Sequence, residues 1–83
     1  MYFVYILYSK DFDRYYIGQC ADLNARLIRH NAKAVPSTKA FVPWVMVYYE
    51  NYPTRAQATL REKEIKAKKN RLYIEFLIKN FKM

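Results

Sequence analysis

Residues 2–9 read YFVYILYS, and both alternating sets are apolar or aromatic: Phe3, Tyr5 and Leu7 on one, Val4, Ile6 and Tyr8 on the other. A strand with one wet face alternates with polar residues, so a run apolar on both sets predicts a central strand covered on both sides. KDFD then supplies turn formers and RYYIGQ returns, which predicts an antiparallel hairpin over about residues 1–19.

After Asp22 the period changes. Asp22 is a helix N-cap, and in LNARLIRHNA the spacing of Leu23 and Leu27 makes one apolar stripe. Arg26 and His30, four apart, lie together on its flank and lean toward the sheet edge. KAVPSTKAFVP reads as a loop, and WVMVYYE as a third strand from Trp44 to Glu50. Thr54, with Gln57 three residues on, forms a capping box for a helix that runs to about Lys69. Its apolar positions make two narrow stripes, Ala56 with Leu60 and Ala67, and Ala58 with Ile65; Glu62 stands one turn from each member of the second. Asn70 caps a last helix, RLYIEFLIKNF, apolar around most of its circumference and therefore packed into the core or against a partner. The order β-β-α-β-α-α predicts a mixed α/β (α+β) fold: a small three-stranded antiparallel sheet flanked by three helices, in one domain over residues 1–83.

At 83 residues such a domain has an adequate but thin core. Fifteen Lys and Arg against seven Asp and Glu give a net charge of +8, which favours phosphate-rich partners by electrostatics alone. The single cysteine, Cys20, excludes an internal disulfide, and no Cys/His cluster with metal-ligand spacing exists, so a reducing, cytoplasmic setting is expected. Cys20 itself reads as a small buried hydrophobe rather than a nucleophile. No apolar run approaches the roughly 18 residues that span a bilayer, so no membrane partner is expected.

Gly18 is the only glycine, and it follows Tyr16 and Ile17 at the end of the second strand. A lone glycine in a strand marks a bulge, or a place where another backbone or a ligand comes very close. Other chemistry-bearing residues have ordinary roles when taken singly. Strand tyrosines belong to cores and rims; His30 near a helix C-terminus interacts with the dipole; Glu62 and Lys66 make an i,i+4 pair; and KEIKAKKNR is a solvated face.

Taken jointly, the same residues form an ordered series. Tyr5 in FVYILYS, Tyr16-Ile17-Gly18 in YYIG, Arg26 and His30 in ADLNARLIRHN, the strand PWVMVYYE, and Glu62 in TRAQATLREKEIK together resemble the GIY-YIG nuclease superfamily. The likeness is to its small single-domain branch, similar to excinuclease and endonuclease amino-terminal domains, and it covers nearly the whole chain. It implies a metal-dependent endonuclease that hydrolyses DNA, with one Mg²⁺ or Mn²⁺ ion on Glu62 and with Arg26 stabilising charge on the phosphate. Tyr5 is implied as the general base, with Tyr16 and His30 as its network. An ordinary phenol has a pKa near 10, so that role requires Arg26, the metal or neighbouring hydroxyls to favour the phenolate. Gly18 would let strand backbone pass close to a helix or a phosphate, and Thr38 and Lys39 match loop positions expected to touch phosphate.

Branched, flapped or damaged DNA, met in repair and recombination, is the implied substrate, because no appended sequence-reading domain is evident. Two features depart from the family pattern: Phe3-Val4-Tyr5 stands for Gly-Ile-Tyr, and the loop after His30 lacks glycine. Two further readings compete. A non-catalytic nucleic-acid-binding module would use Lys63, Lys66 and Lys69 for phosphates and exposed tyrosines for stacking, indifferent to Glu62. A docking module would use the last helix around Tyr73, Phe76 and Phe81.

Overall fold

In the computed structural model, which describes residues 1–81, strand β1 (Tyr2–Ser9) lies between β2 (Arg14–Cys20) and β3 (Val45–Tyr52). Both neighbours are antiparallel to it. The doubly apolar run therefore occupies the centre of the sheet, where each of its faces meets a separate cluster. On one face Tyr5 and Leu7 pack with Cys20 and Trp44, and helix α1 (Leu23–Asn31) closes the cluster with Leu23 and Leu27. On the other, Val4 packs with Ala58 and Ile65 of α2 (Arg55–Lys68) and with Tyr73, Ile74 and Leu77 of α3 (Arg71–Lys79). The element order is β-β-α-β-α-α, mixed α/β.

Each of the three α-helices begins at a side-chain cap. Asp22 accepts from Ala25 N at 3.0 Å, Thr54 from Gln57 N at 3.3 Å, and Asn70 from Leu72 N at 2.9 Å. Of the two apolar stripes on α2, only Ala58 and Ile65 are buried; Ala56, Leu60 and Ala67 face water. The last helix is half covered, with Leu72 74% and Phe76 59% exposed. No helix among the described residues is long and apolar enough to cross a membrane.

The segment between α1 and β3 is held in place without glycine. Asn31 at the end of α1 accepts from Trp44 N at 2.6 Å and donates to Trp44 O at 2.9 Å. Trp44 Nε1 in turn donates to Thr38 O at 3.0 Å, and Ser9 Oγ donates to Phe41 O at 2.7 Å. A short 3-10 turn over Lys39–Phe41 fits between these anchors. They fix Thr38 beneath the last turn of α1.

Candidate active site

Gly18 lies directly across the ladder from Tyr5. A Cβ at Gly18 would stand 2.5 Å from the Tyr5 hydroxyl oxygen and 2.6 Å from its Cζ. The bare position therefore admits the phenol ring, in place of the helix backbone or phosphate expected from sequence. It is not a bulge either: the irregularity in β1 falls between Ile6 and Leu7, on the β3 side. Gly18 is buried and its φ is not in the left-handed region, so space rather than backbone freedom is what it supplies.

Folded over Gly18, the Tyr5 hydroxyl meets His30 Nε2 at 2.9 Å, and Arg26 Nε donates to it at 3.4 Å. On the other side of the imidazole, His30 Nδ1 is 2.8 Å from Thr38 Oγ1, which is 3.3 Å from Val35 O. Tyr5, His30 and Thr38 have no exposed surface. Val35 O also accepts from Thr38 N and Lys39 N, both at 3.1 Å, so the Thr38 hydroxyl is its third and longest donor. Either tautomer of His30 bridges Tyr5 and Thr38. With the proton on Nδ1, Thr38 Oγ1 accepts from Nδ1–H and Nε2 accepts from the Tyr5 hydroxyl.

Burial pushes the Tyr5 phenol up to about 12, against the opposing pull of the Arg26 guanidinium. Arg26 does favour the phenolate, as the general-base role requires, but desolvation outweighs one long hydrogen bond. Burial, with the charges of Arg26 and Arg29, holds His30 below its ordinary value, so it is a neutral acceptor. Burial also pushes the Cys20 thiol up, in keeping with an inert apolar role.

Tyr16 sits beside this chain, its ring centroid 5.0 Å from that of His30 and 6.4 Å from that of Tyr5. Its hydroxyl has no hydrogen-bond partner among the described residues and is not a buried, unsatisfied group, so it reaches solvent. Of the two tyrosines, one is sealed to a histidine and the other is open.

The remaining sequence-derived residues divide. Thr38 is not a phosphate contact: it is fully buried, and both its hydrogen-bonding roles are used on His30 and Val35. Lys39, Lys63, Lys66 and Lys69 are exposed. Glu62, its side chain 18% exposed, pairs with Lys66 Nζ at 3.6 Å and makes no hydrogen bond or ion pair with the tyrosine cluster. Sequence reasoning named Thr38 but with the wrong partner, a phosphate rather than His30. Nothing in the order of residues marked Arg29 and Arg55 as neighbours of Arg26.

The GIY-YIG catalytic domain model matches residues 1–74. The chain belongs to the GIY-YIG family. Nuclease chemistry is what this family's domain implies, and the chain is similar to small family proteins of staphylococci. A UPF0213 protein of Staphylococcus epidermidis is 44% identical over 66 residues, covering 78% of this chain and 79% of that protein. A UPF0213 protein of Staphylococcus aureus is 41% identical over the same length, with the same coverage. No solved structure matches this GIY-YIG chain significantly.

Proposed function

We propose that the protein is a metal-dependent DNA endonuclease in which Tyr5 and His30 together accept the proton of the attacking water. The observation that carries this reading is the buried chain from Tyr5 through His30 to Thr38, with Arg26 on the Tyr5 hydroxyl. A phenol near 12 is a poor base by itself. Coupled to a bare imidazole nitrogen at 2.9 Å it need not ionise beforehand. As water attacks phosphorus, its proton passes to the Tyr5 oxygen while the Tyr5 proton passes to His30 Nε2. The new P–O bond forms from the water oxygen, and the leaving oxygen departs with the electron pair. Imidazolium then keeps its Nδ1–H on Thr38.

In the free protein Arg26 covers the Tyr5 hydroxyl, and a 3.4 Å contact is weak. An incoming phosphate offers the guanidinium a forked, charge-assisted partner, so binding draws Arg26 off the hydroxyl and opens it to water. Arg26 then faces the charge that develops on the phosphate oxygens. Tyr16, its hydroxyl open to solvent, orients the water.

Glu62 is the carboxylate for the divalent ion. Its ion-pair partner is the exposed Lys66, which is readily displaced, and no group of three or more metal-ligating residues occurs among the described residues. One carboxylate fits a hard cation that keeps several waters and shares phosphate oxygens with its substrate. Bound there, Mg²⁺ or Mn²⁺ supplies Lewis-acid polarisation of the phosphate and stabilisation of the leaving oxygen. The groups assigned here address phosphate and not base edges, which favours recognition of DNA shape over sequence. Branched, flapped or damaged DNA of the kind met in repair and recombination is the substrate class we assign.

The test is cleavage of labelled single-stranded, duplex, flap and four-way-junction DNA with Mg²⁺, Mn²⁺ or EDTA. Metal-dependent products are expected from the native chain. Tyr5→Phe should lower the rate by roughly 10² to 10⁴, and Glu62→Ala should abolish it, while both still bind DNA. Binding without cleavage in all three proteins would replace this reading with that of a basic binding module.

A further inference from the structure

At the end of β2 the sheet edge and the starts of α1 and α2 enclose a cleft of about 350 Å³, lined by Gln19, Cys20, Asp22, Arg26, Arg29 and Arg55. Three arginines line it from two helices, and none is in an ion pair among the described residues. The cations paired among the described residues are Arg61, Lys66 and Arg71. The one carboxylate in the cleft, Asp22, has Oδ1 engaged by Ala25 N as the cap of α1.

Arg55 is already positioned. Its Nη1 donates to Gln19 Oε1 at 3.1 Å, and its guanidinium carbon lies 4.7 Å from the centre of the Tyr2 ring. Both contacts fix the plane and leave most of the five N–H donors of a guanidinium unengaged. Arg26 uses only Nε, on Tyr5, so its Nη groups are unengaged. Arg29 has no hydrogen-bonding partner among the described residues. Like charges gathered in a cleft repel one another, and a cluster with so many unengaged donors is neutralised by an anion with several oxygens.

We propose that this cleft is a second phosphate subsite, which grips the sugar-phosphate backbone of the DNA strand next to the phosphate being cut. Arg29 and Arg55 are its clamps, and Arg26 belongs to both subsites. The assignment of DNA and of an adjacent scissile phosphate rests on the nuclease reading above; the subsite itself rests on the three arginines. The strand thus runs along the β2 edge, from the Tyr5 site toward the start of α2. The exposed lysines of α2 are less suited to such a grip, because an ammonium is a point charge without the planar fork of a guanidinium.

The test compares Arg29→Gln and Arg55→Gln, each in a Tyr5→Phe chain so that the strand stays intact, against a charge-matched Lys10→Gln control at the opposite end of the hairpin. Binding to a labelled DNA duplex is measured over a salt series, and thermal melting confirms that each variant is folded. Each arginine variant should weaken binding by roughly tenfold and reduce the slope of log K against log salt by about 1, while Lys10→Gln changes both by less. Equal effects in all three variants would overturn the subsite. Cleavage assays on the same substitutions with Tyr5 restored separate the two readings. Cleavage that persists with cleft-independent binding removes the subsite alone, and cleft-dependent binding with no cleavage by the native chain removes the nuclease and keeps the subsite.

Discussion

A hydrogen-bond chain three residues long is only as good as its least obvious member, and here that is Thr38. Thr38→Val removes the oxygen that accepts from His30 Nδ1–H, leaving a buried donor unsatisfied at a cost of about 1–3 kcal/mol. The imidazole is then free to move its proton to Nε2, where it can no longer accept from Tyr5. Cleavage should fall at least tenfold in Thr38→Val and be largely kept in Thr38→Ser, with both variants compared by melting temperature. A purely structural role would lower stability without changing the pH profile. His30 titrates below its ordinary value, so its neutral form, and the stability tied to it, is fully present above about 6.5 and is lost as pH falls through the depressed folded value. Activity should share that acid limb in the native chain, and Thr38→Val should shift it.

Gly18 works at the same scale from the opposite strand. Gly18→Ala puts a methyl 2.5 Å from the Tyr5 oxygen, where the facing atom belongs to an aromatic ring packed against Tyr16 and His30. The ring must tilt, at a cost of about 1–3 kcal/mol, and its hydroxyl leaves His30. A fall in melting temperature together with loss of cleavage is expected; unchanged melting and activity would show that the ring tolerates the methyl.

Between elements, the strongest polar link is away from the candidate site. Glu50 on β3 accepts from Arg61 Nε at 2.9 Å and Nη2 at 3.0 Å, and from the hydroxyls of Tyr48 and Tyr52. Arg61 Nη1 reaches on to the Tyr73 hydroxyl at 3.2 Å, which ties β3, α2 and α3 together. Burial would raise the Glu50 carboxyl, but the Arg61 guanidinium and the two tyrosines outweigh it and hold it below the ordinary 4.5. A carboxyl lowered on folding stabilises above its unfolded value, and that contribution is lost as pH falls below about 4.5 through the depressed folded value. Glu50→Gln should therefore lower stability at neutral pH, by about 1–3 kcal/mol, and flatten the acid limb of the melting temperature against pH. A parallel acid limb in the variant would assign that limb to other groups. This clamp holds α2 against the sheet, and with it Glu62 and Arg55.

Over the whole molecule, the excess of fifteen basic over seven acidic residues was legible as a preference for phosphate, but its distribution was not. The lysine run of α2 is the visible charge block of the sequence, whereas the arginines that line one cleft are residues 26, 29 and 55. The element order, the central β1, all three helix caps and the inward stripe of Leu23 and Leu27 could be read from the chain, because strand period, helix period and capping are set by neighbours a few residues away. Spacing alone put Arg26 and His30 together on one flank of α1; that Tyr5 and Tyr16 join them was implied by the resemblance to the GIY-YIG superfamily. Packing alone decided that Gly18 makes room for a phenol, that Thr38 is a buried partner of His30, that burial lifts the Tyr5 phenol to about 12, and that Arg55 lines one cleft with Arg26 and Arg29. Each of these depends on distances between residues remote in sequence and on the exclusion of water, and neither quantity is encoded in any short stretch of the chain.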